Sequence, residues 1–253
     1  TMGNLHAGHL HLIALARQQT DRAVASIFVN PLQFGANEDL DNYPRTLAAD
    51  CEKLEAAGAS IVFTPSVSEM YPTAQTMRIT PPPIANELCG TARPGHFDGV
   101  ATVVMKLFNI VQPQVAIFGK KDFQQLFIIR ELVRQFNLPI QIIAGETQRE
   151  ESGLALSSRN GYLSDSQTLE AQRLYRTLKL IVDNVQQGNR DYSAIEAQSS
   201  QYLTQLGWIV DYISIRSALT LMPASAENRD LVVLAAARQG KTRLIDNIEF
   251  SVA

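Results

Sequence analysis

The sequence predicts an α/β protein: a doubly wound, Rossmann-like parallel-sheet domain over residues 1–149 that lacks its first strand, then a smaller α+β domain over residues 150–253. Three observations predict it. Short β-branched runs alternate with helical patterns up to about residue 145, as βαβ units under a helix-covered parallel sheet do. Beyond Gly145 the order changes to two long helical patterns followed by strand-like runs, the signature of a separate unit. No apolar run approaches the ~18 residues that a membrane-crossing helix needs, so the apolar residues belong to a folded core.

Taken in order, the helix patterns cover residues 8–20, 45–57, 99–111 and 123–136, each apolar at i, i+3 and i+4. Between them lie the strand candidates AVASIFV, SIVFT, VAIF and IQIIA. Thr1, Met2 and Gly3 are read as the end of a strand that precedes the first helix and lies mostly ahead of Thr1. PPP at residues 81–83 is a rigid loop. After the polar stretch ETQREESG, helices are expected over residues 165–187 and 192–206, then strands at IVDYISI, LVVLAAA and TRLIDNIEF. No internal repeat or long low-complexity segment interrupts this order.

With 253 residues, 45% of them hydrophobic and 19% charged, the chain can bury a sizeable core. A formal net charge of −3 gives no global attraction to nucleic acid or an anionic membrane, so an anionic ligand must be held by a local site. Cys51 and Cys89 lack metal-type spacing and read as reduced thiols, and no basic stretch leads into an apolar signal core. A cytoplasmic protein is expected.

In a doubly wound sheet, ligands bind beyond the carboxyl ends of the strands, which directs attention to four loops. In TMGNLHAGHL the start of a helix offers backbone amides and a positive dipole end, glycines admit close approach, and His6 and His9 are spaced to reach one phosphate. A lone histidine there would read as a surface side chain; two with two glycines do not, while His11 is a bystander. In NPLQFG, Asn30 and Gln33 suit a hydroxyl or carboxylate, or equally a polar turn at a strand end. GKKDFQQ places Gly119, Lys120, Lys121, Asp122 and Gln125 at the next strand end, where one lysine aimed inward would stabilise phosphate charge. LALSSRNGYLS brings Ser157, Ser158 and Arg159 to the domain junction as donors for triphosphate oxygens. Each loop alone has a structural reading; together they supply phosphate donors and no Ser/His/Asp or Cys/His triad.

The motifs MGxLHxGH, SIFVNPxQF, YPRT, RPGHF, FGxKDxQQ and LxLSSRN, with RLIDN at residues 243–247, occur in an order and spacing that resemble the pantoate–β-alanine ligases, or pantothenate synthetases. The resemblance spans essentially the whole chain, whereas HxGH alone marks only the wider nucleotidyltransferase superfamily. It implies an ATP-dependent ligase in which pantoate's carboxylate attacks the α-phosphate of ATP, pyrophosphate leaves, and β-alanine's amine displaces AMP from pantoyl adenylate. Mg²⁺ would accompany ATP through its phosphates, with no protein metal ligands.

Carried over by motif, Met2, Gly3, Asn4, Leu5, His6, Ala7, Gly8 and His9 would form an ATP-binding segment, with His9 as proton donor. Gln33 and Gln125 would hold pantoate, Gln33 also touching β-alanine, and Met2, Val100, Val103 and Val104 would wall pantoate's dimethyl group. Gly119, Lys120, Lys121 and Asp122 would contact nucleotide, Lys121 through phosphate. Leu156, Ser157, Ser158 and Arg159 would form a phosphate clamp, and the Gln148 backbone would frame adenine. His96, in RPGHF, ranks below His6 and His9. The imidazoles would act protonated or as neutral hydrogen donors. The resemblance further implies a homodimer and small-molecule partners, without nucleic acid or membrane. Some family members carry a fused cytidylate kinase domain.

The sequence departs from the family at Lys120, where an acidic residue is common, and at Gln148, where a small apolar one is frequent. Rival readings are another nucleotidyltransferase, which would share HxGH but lack NPxQF and FGxKDxQQ, and a non-catalytic nucleotide-binding module. A sheet without its first strand loses a central member, so adding that strand ahead of Thr1 is expected to raise stability and turnover. Circular dichroism and an assay of pantothenate formation compare the two chains, and equal values refute it.

Overall fold

The computed structural model describes residues 1–35 and 38–252, and its contacts divide the chain into the units Thr1–Gln148 and Arg149–Ala253. The first unit runs α1 (Ala7–Gln19), β1 (Val24–Ser26), α2 (Leu47–Ala56), β2 (Ile61–Phe63), the one-turn helices α3 (Val67–Met70) and α4 (Cys89–Ala92), α5 (His96–Val111), β3 (Val115–Gly119), α6 (Phe123–Gln135) and β4 (Gln141–Gly145). Its strands form two parallel pairs, β1 with β2 and β3 with β4. The fold is thus mixed α/β with parallel pairing, as the alternating pattern predicts.

The strand expected over AVASIFV is shorter as a regular element, yet its hydrogen bonding continues on both sides. Ile27 N donates to Phe63 O at 2.9 Å, and Phe28 N donates to Thr1 O at 3.0 Å. The Thr1 amino group in turn donates to Ser26 O at 3.0 Å, so Thr1 extends the ladder along the edge of β1 opposite β2. Leu5, Ile13, Ala25 and Leu54 pack together where the first loop, α1, β1 and α2 meet. Each such burial stabilises by ~1.5–3 kcal/mol for a large aliphatic side chain.

Helix α5 starts at His96, earlier than the sequence pattern suggests, because Gly95 takes a left-handed conformation (φ 76°) that turns the chain into it. It lies against the one-turn 3-10 helix Pro31–Gln33 that follows β1. A Cβ on Gly99 would stand 2.1 Å from Leu32 O and 2.7 Å from Gln33 N, so the two backbones meet at a distance that only glycine permits.

The second unit consists of α7 (Asp165–Gln186), α8 (Tyr192–Gln205) and an antiparallel sheet of β5 (Ile209–Ser217), β6 (Asp230–Gln239) and β7 (Thr242–Ser251) in the order β5-β6-β7. A reciprocal cap opens α7: Gln167 N donates to Ser164 Oγ, and Ser164 N donates to Gln167 Oε1. Leu174, Leu178, Ile181 and Val185 fall on one face of α7 and join Ile195, Leu203, Trp208, Ile215, Leu231 and Val233 in a single core. At the start of this unit Arg149 makes a bidentate pair with the buried Asp246 at 2.7 and 2.8 Å and stacks on the Tyr175 ring.

Replacing Gly99 by alanine is expected to force the Pro31–Gln33 turn off α5 and to cost about 1–3 kcal/mol, the usual penalty for overpacking. Chemical denaturation followed by circular dichroism checks it, and wild-type stability would contradict the contact.

Candidate active site

Residues 3–6 leave the edge of β1 through two consecutive left-handed residues, Gly3 (φ 92°) and Asn4 (φ 53°). Backbone groups bent this way have no ladder partner, and two of them find one in Asp50 of α2. Asn4 N donates to Asp50 Oδ2 and Leu5 N to Asp50 Oδ1, both at 2.8 Å, and Thr46 Oγ1 donates to Oδ2 at 3.0 Å. One turn along α2, Lys53 Nζ donates to Leu5 O at 2.8 Å. Sequence reasoning missed Asp50. Only the fold marks it out: Asp50 and Leu54 are the buried residues of α2, and a buried carboxylate calls for partners.

The next residues form a cap made of two imidazoles. His6 is the N-cap of α1; its Nδ1 accepts from Gly8 N at 3.2 Å, and His9 Nδ1 accepts from His6 N at 3.3 Å. The ring centroids lie 4.1 Å apart. A backbone N–H aimed at Nδ1 requires a lone pair there, so each neutral ring carries its proton on Nε2. Burial, reinforced by the Lys121 charge, lowers the His6 pKa to about 4. Burial, reinforced by His6, lowers that of His9 to about 3. At neutral pH both are therefore uncharged donors at Nε2. Of the two forms the sequence allows, protonated or neutral, the structure selects the neutral one. Gly8 makes this possible, since a Cβ there would lie 2.9 Å from His6 Nδ1 and Cε1. Gln148 comes to the same place, its Cβ 3.8 Å from that position.

In the loop after β1 the two candidates part. Asn30 is 1% exposed, and its amide is fully engaged: Nδ2 donates to Gly99 O and Gln33 Oε1 at 3.1 Å each, while Oδ1 accepts from Leu32 N at 3.2 Å and Tyr71 Oη at 2.8 Å. All of the Asn30 amide is thus bonded within the fold, where it braces Gln33. Gln33 Nε2 donates one of its two protons to Met2 Sδ at 3.2 Å, a weak acceptor. The Gln33 carbonyl accepts from His96 Nδ1 at 2.8 Å, because His96 Nε2 accepts from Arg93 Nη1 at 2.9 Å and leaves the proton on Nδ1. Arg93 is itself clamped by Glu38 at 2.6 Å. Burial, then the Arg93 charge, lowers the His96 pKa to about 4. Both ring nitrogens of His96 serve the protein.

The adjacent glutamines of FGKKDFQQ also differ. Gln124 is 3% exposed and its side chain is bonded to Cys89 N, Ile84 O and Glu87 O, whereas Gln125 is half-buried and its side chain makes no protein hydrogen bond among the described residues. Gly119, at the end of β3, pairs with Gly145 of β4 under the Leu12 side chain of α1. Lys120 pairs with Glu146 at 2.6 Å, and Lys121 stands close enough to the histidines to lower both. Val100, Val103 and Val104 are buried core residues of α5; Met2 is the partly exposed member of the proposed wall. In the second unit Ser157 Oγ accepts from Arg159 N at 3.2 Å, and Ser157 O accepts from Asn160 N. Leu156, Ser157, Ser158 and Arg159 are all partly exposed.

Among the described residues no group of three or more His, Cys, Asp or Glu side chains is placed to hold a metal ion, and no helix is long and apolar enough to cross a membrane. A cavity of about 270 Å³ adjoins Gln33, lined also by Leu32, Arg78 and His96, but it includes none of residues 2–9.

The chain's relatives are consistent with one another. A family model described as pantoate-beta-alanine ligase matches residues 1–249. The pantothenate synthetase of Methylobacillus flagellatus is 86% identical over 252 residues, covering 100% of this chain and 91% of its own. That of Thiobacillus denitrificans is 58% identical over 254 residues, covering 100% and 90%. The crystal structure of pantothenate synthetase from Thermus thermophilus matches with a TM-score of 0.92 at 43% identity, covering 98% of this chain and 90% of that one. The pantoate-beta-alanine ligase from Francisella tularensis, complexed with beta-gamma ATP and beta-alanine, matches with a TM-score of 0.82 at 35% identity, covering 98% and 86%.

The buried imidazoles make stability depend on pH. The unfolded chain binds histidine protons near 6.5, which the folded one refuses down to about 4 at His6 and His96 and about 3 at His9. Stability is therefore complete above about pH 6.5 and declines as the pH falls toward those folded values. Thermal unfolding between pH 7.5 and 5 should show this decline, shallower in His9→Gln; identical slopes would contradict the neutral imidazoles.

Proposed function

The chain belongs to the pantoate–β-alanine ligase family, and from that membership we infer that it condenses pantoate with β-alanine at the expense of ATP, forming pantothenate, AMP and pyrophosphate. The observation that carries the chemistry is the pair of neutral imidazoles with Nε2–H free of protein partners among the described residues, beside the charge of Lys121. These are donors for a polyanion, with no nucleophile among them.

In the proposed first step a carboxylate oxygen of pantoate bonds to the α-phosphorus, the bond to the bridging oxygen breaks, and pyrophosphate departs with the electron pair. In the second, the neutral amine of β-alanine attacks the acyl carbon, AMP leaves with the oxygen and its electron pair, and the nitrogen releases one proton to bulk solvent as the amide forms. Both steps move negative charge onto phosphate oxygens, which preorganised donors stabilise without reorganising. His6 and His9 supply theirs from Nε2; as His9 is uncharged, its role as proton donor begins as a hydrogen bond that strengthens while the charge develops. Lys121 adds a positive charge.

Gln33 and Gln125 are proposed to hold pantoate, with Gln33 also reaching β-alanine. Gln125 has its amide available, and Gln33 needs only to exchange a thioether for an oxygen, a better acceptor. Fixing the carboxylate in line with phosphorus contributes through orientation. Since Lys120 is paired with Glu146, the segment Gly119, Lys120 and Asp122 is assigned to the nucleotide through its backbone. The Gln148 backbone is assigned to adenine, and Leu156, Ser157, Ser158 and Arg159 to phosphate, on the family resemblance. The donor set suits anions and not a bare cation, so Mg²⁺ is proposed to be held by the ATP phosphates, where it neutralises charge. A homodimer in the cytoplasm completes the proposal.

Isotope exchange between pyrophosphate and ATP should require pantoate but not β-alanine. Exchange that proceeds without pantoate, or none at all, would overturn the reading in favour of another nucleotidyl transfer or of a binding module. His9→Ala and Lys121→Ala should each slow single-turnover adenylation by ~100-fold or more, as loss of one oxyanion donor does. Near-normal rates in either would remove its assigned role.

A further inference from the structure

Asp50 is not itself assigned to substrate, yet it is the side chain to which the histidine loop is fastened. It is 0% exposed, and three donors converge on its two oxygens: Asn4 N, Leu5 N and the Thr46 hydroxyl. The two backbone donors belong to the residues just before His6. Gly3 and Asn4 hold left-handed conformations, which glycine adopts freely and asparagine more readily than most residues, and these turn both amides toward Asp50. A Cβ on Gly3 would stand 3.1 Å from Asp50 Oδ2, so the loop rests against the carboxylate itself. Lys53, three residues along α2, takes the Leu5 carbonyl, so both polar groups of Leu5 are held by one helix. Leu5 is 3% exposed, which closes the alternative of water as partner.

We propose that Asp50, assisted by Lys53, is a positioning residue for the ligase reaction: it sets the backbone of residues 4–6 so that His6 and His9 cap each other through Nδ1 and keep their protons on Nε2. The inference rests on the proposed function for its catalytic consequence. The sequence of dependence is short. Asp50 orients the peptide units of Asn4 and Leu5; these place His6 at the N-cap; His6 N and His9 Nδ1 then bond only if the loop leaves Leu5 in that direction. Substituting asparagine keeps the shape but replaces one acceptor oxygen by a donor, which faces a backbone N–H at a buried side chain. One donor is left unpaired and the loop is released.

The test compares Asp50→Asn, Lys53→Met and Thr46→Val at a temperature where circular dichroism shows each folded. Asp50→Asn should lower the rate of single-turnover adenylation at least tenfold with the KM for pantoate changed less than threefold. Lys53→Met should move it in the same direction by a smaller factor. Thr46→Val, which removes a bond to Asp50 but none to the loop, should stay within threefold of wild type. Imidazole ¹⁵N spectra supply a readout independent of turnover: His6 and His9 should show one tautomer in wild type and Thr46→Val, and averaged signals in Asp50→Asn. If Asp50→Asn does not fold, the tautomer signals of Lys53→Met decide. Adenylation within threefold of wild type, or unchanged tautomers with only a lower melting temperature, would overturn the proposal. Should wild type itself show no pantoate-dependent exchange, the functional reading fails, while the ¹⁵N spectra still decide what Asp50 does.

Discussion

Backbone groups in the loops that follow parallel strands have no ladder to bond to, and where such a loop is buried each must find a side chain. This constraint organises the first unit. Asp50 receives the amides of Asn4 and Leu5; Asn30 receives Leu32 N and reaches Gly99 O; Gln124 joins Cys89 N to Ile84 O and Glu87 O; His96 takes the carbonyl of Gln33. A polar side chain in a motif can therefore serve a loop or a ligand, and its hydrogen-bonding capacity tells which. Asn30 and Gln124 are spent, Gln125 is not, and Gln33 is held by a bond that an oxygen ligand can replace.

The same accounting assigns protons. His6 and His9 accept backbone N–H groups at Nδ1 and donate from Nε2; His96 accepts from Arg93 at Nε2 and donates from Nδ1. All three are held neutral chiefly by burial. Positive charge near His6 and His9 thus comes from Lys121 and Lys53, while the imidazoles provide direction. For a reaction that spreads charge over phosphate oxygens, fixed neutral donors lose nothing to reorganisation when the charge moves.

Glycine has a correspondingly narrow use. Gly8 leaves room for the His6 ring, and Gly99 lets α5 meet the Pro31–Gln33 turn backbone to backbone. One keeps the His6 ring in place and the other Gln33. Each is a steric requirement read from a named neighbour.

Helix and strand order were legible in the chain because apolar periodicity reports burial: the stripe of Leu174, Leu178, Ile181 and Val185, or the alternation of β-branched runs with helices, needs no partner to be recognised. The histidine loop at a helix start was legible too, since two glycines and two imidazoles ahead of an apolar helical stripe are a local pattern. What the chain could not disclose is how capacity is shared between residues far apart in sequence. Gln124 and Gln125 are the same residue type side by side, and Asp50 reads as one more acidic position on a helix. Only the tertiary structure, by bringing residues 4 and 5 against residue 50 and residue 99 against residue 32, decided which polar groups are consumed by the fold and which remain for chemistry. Hydrogen bonds are short-ranged and saturable, so their allocation exists only once the chain is folded.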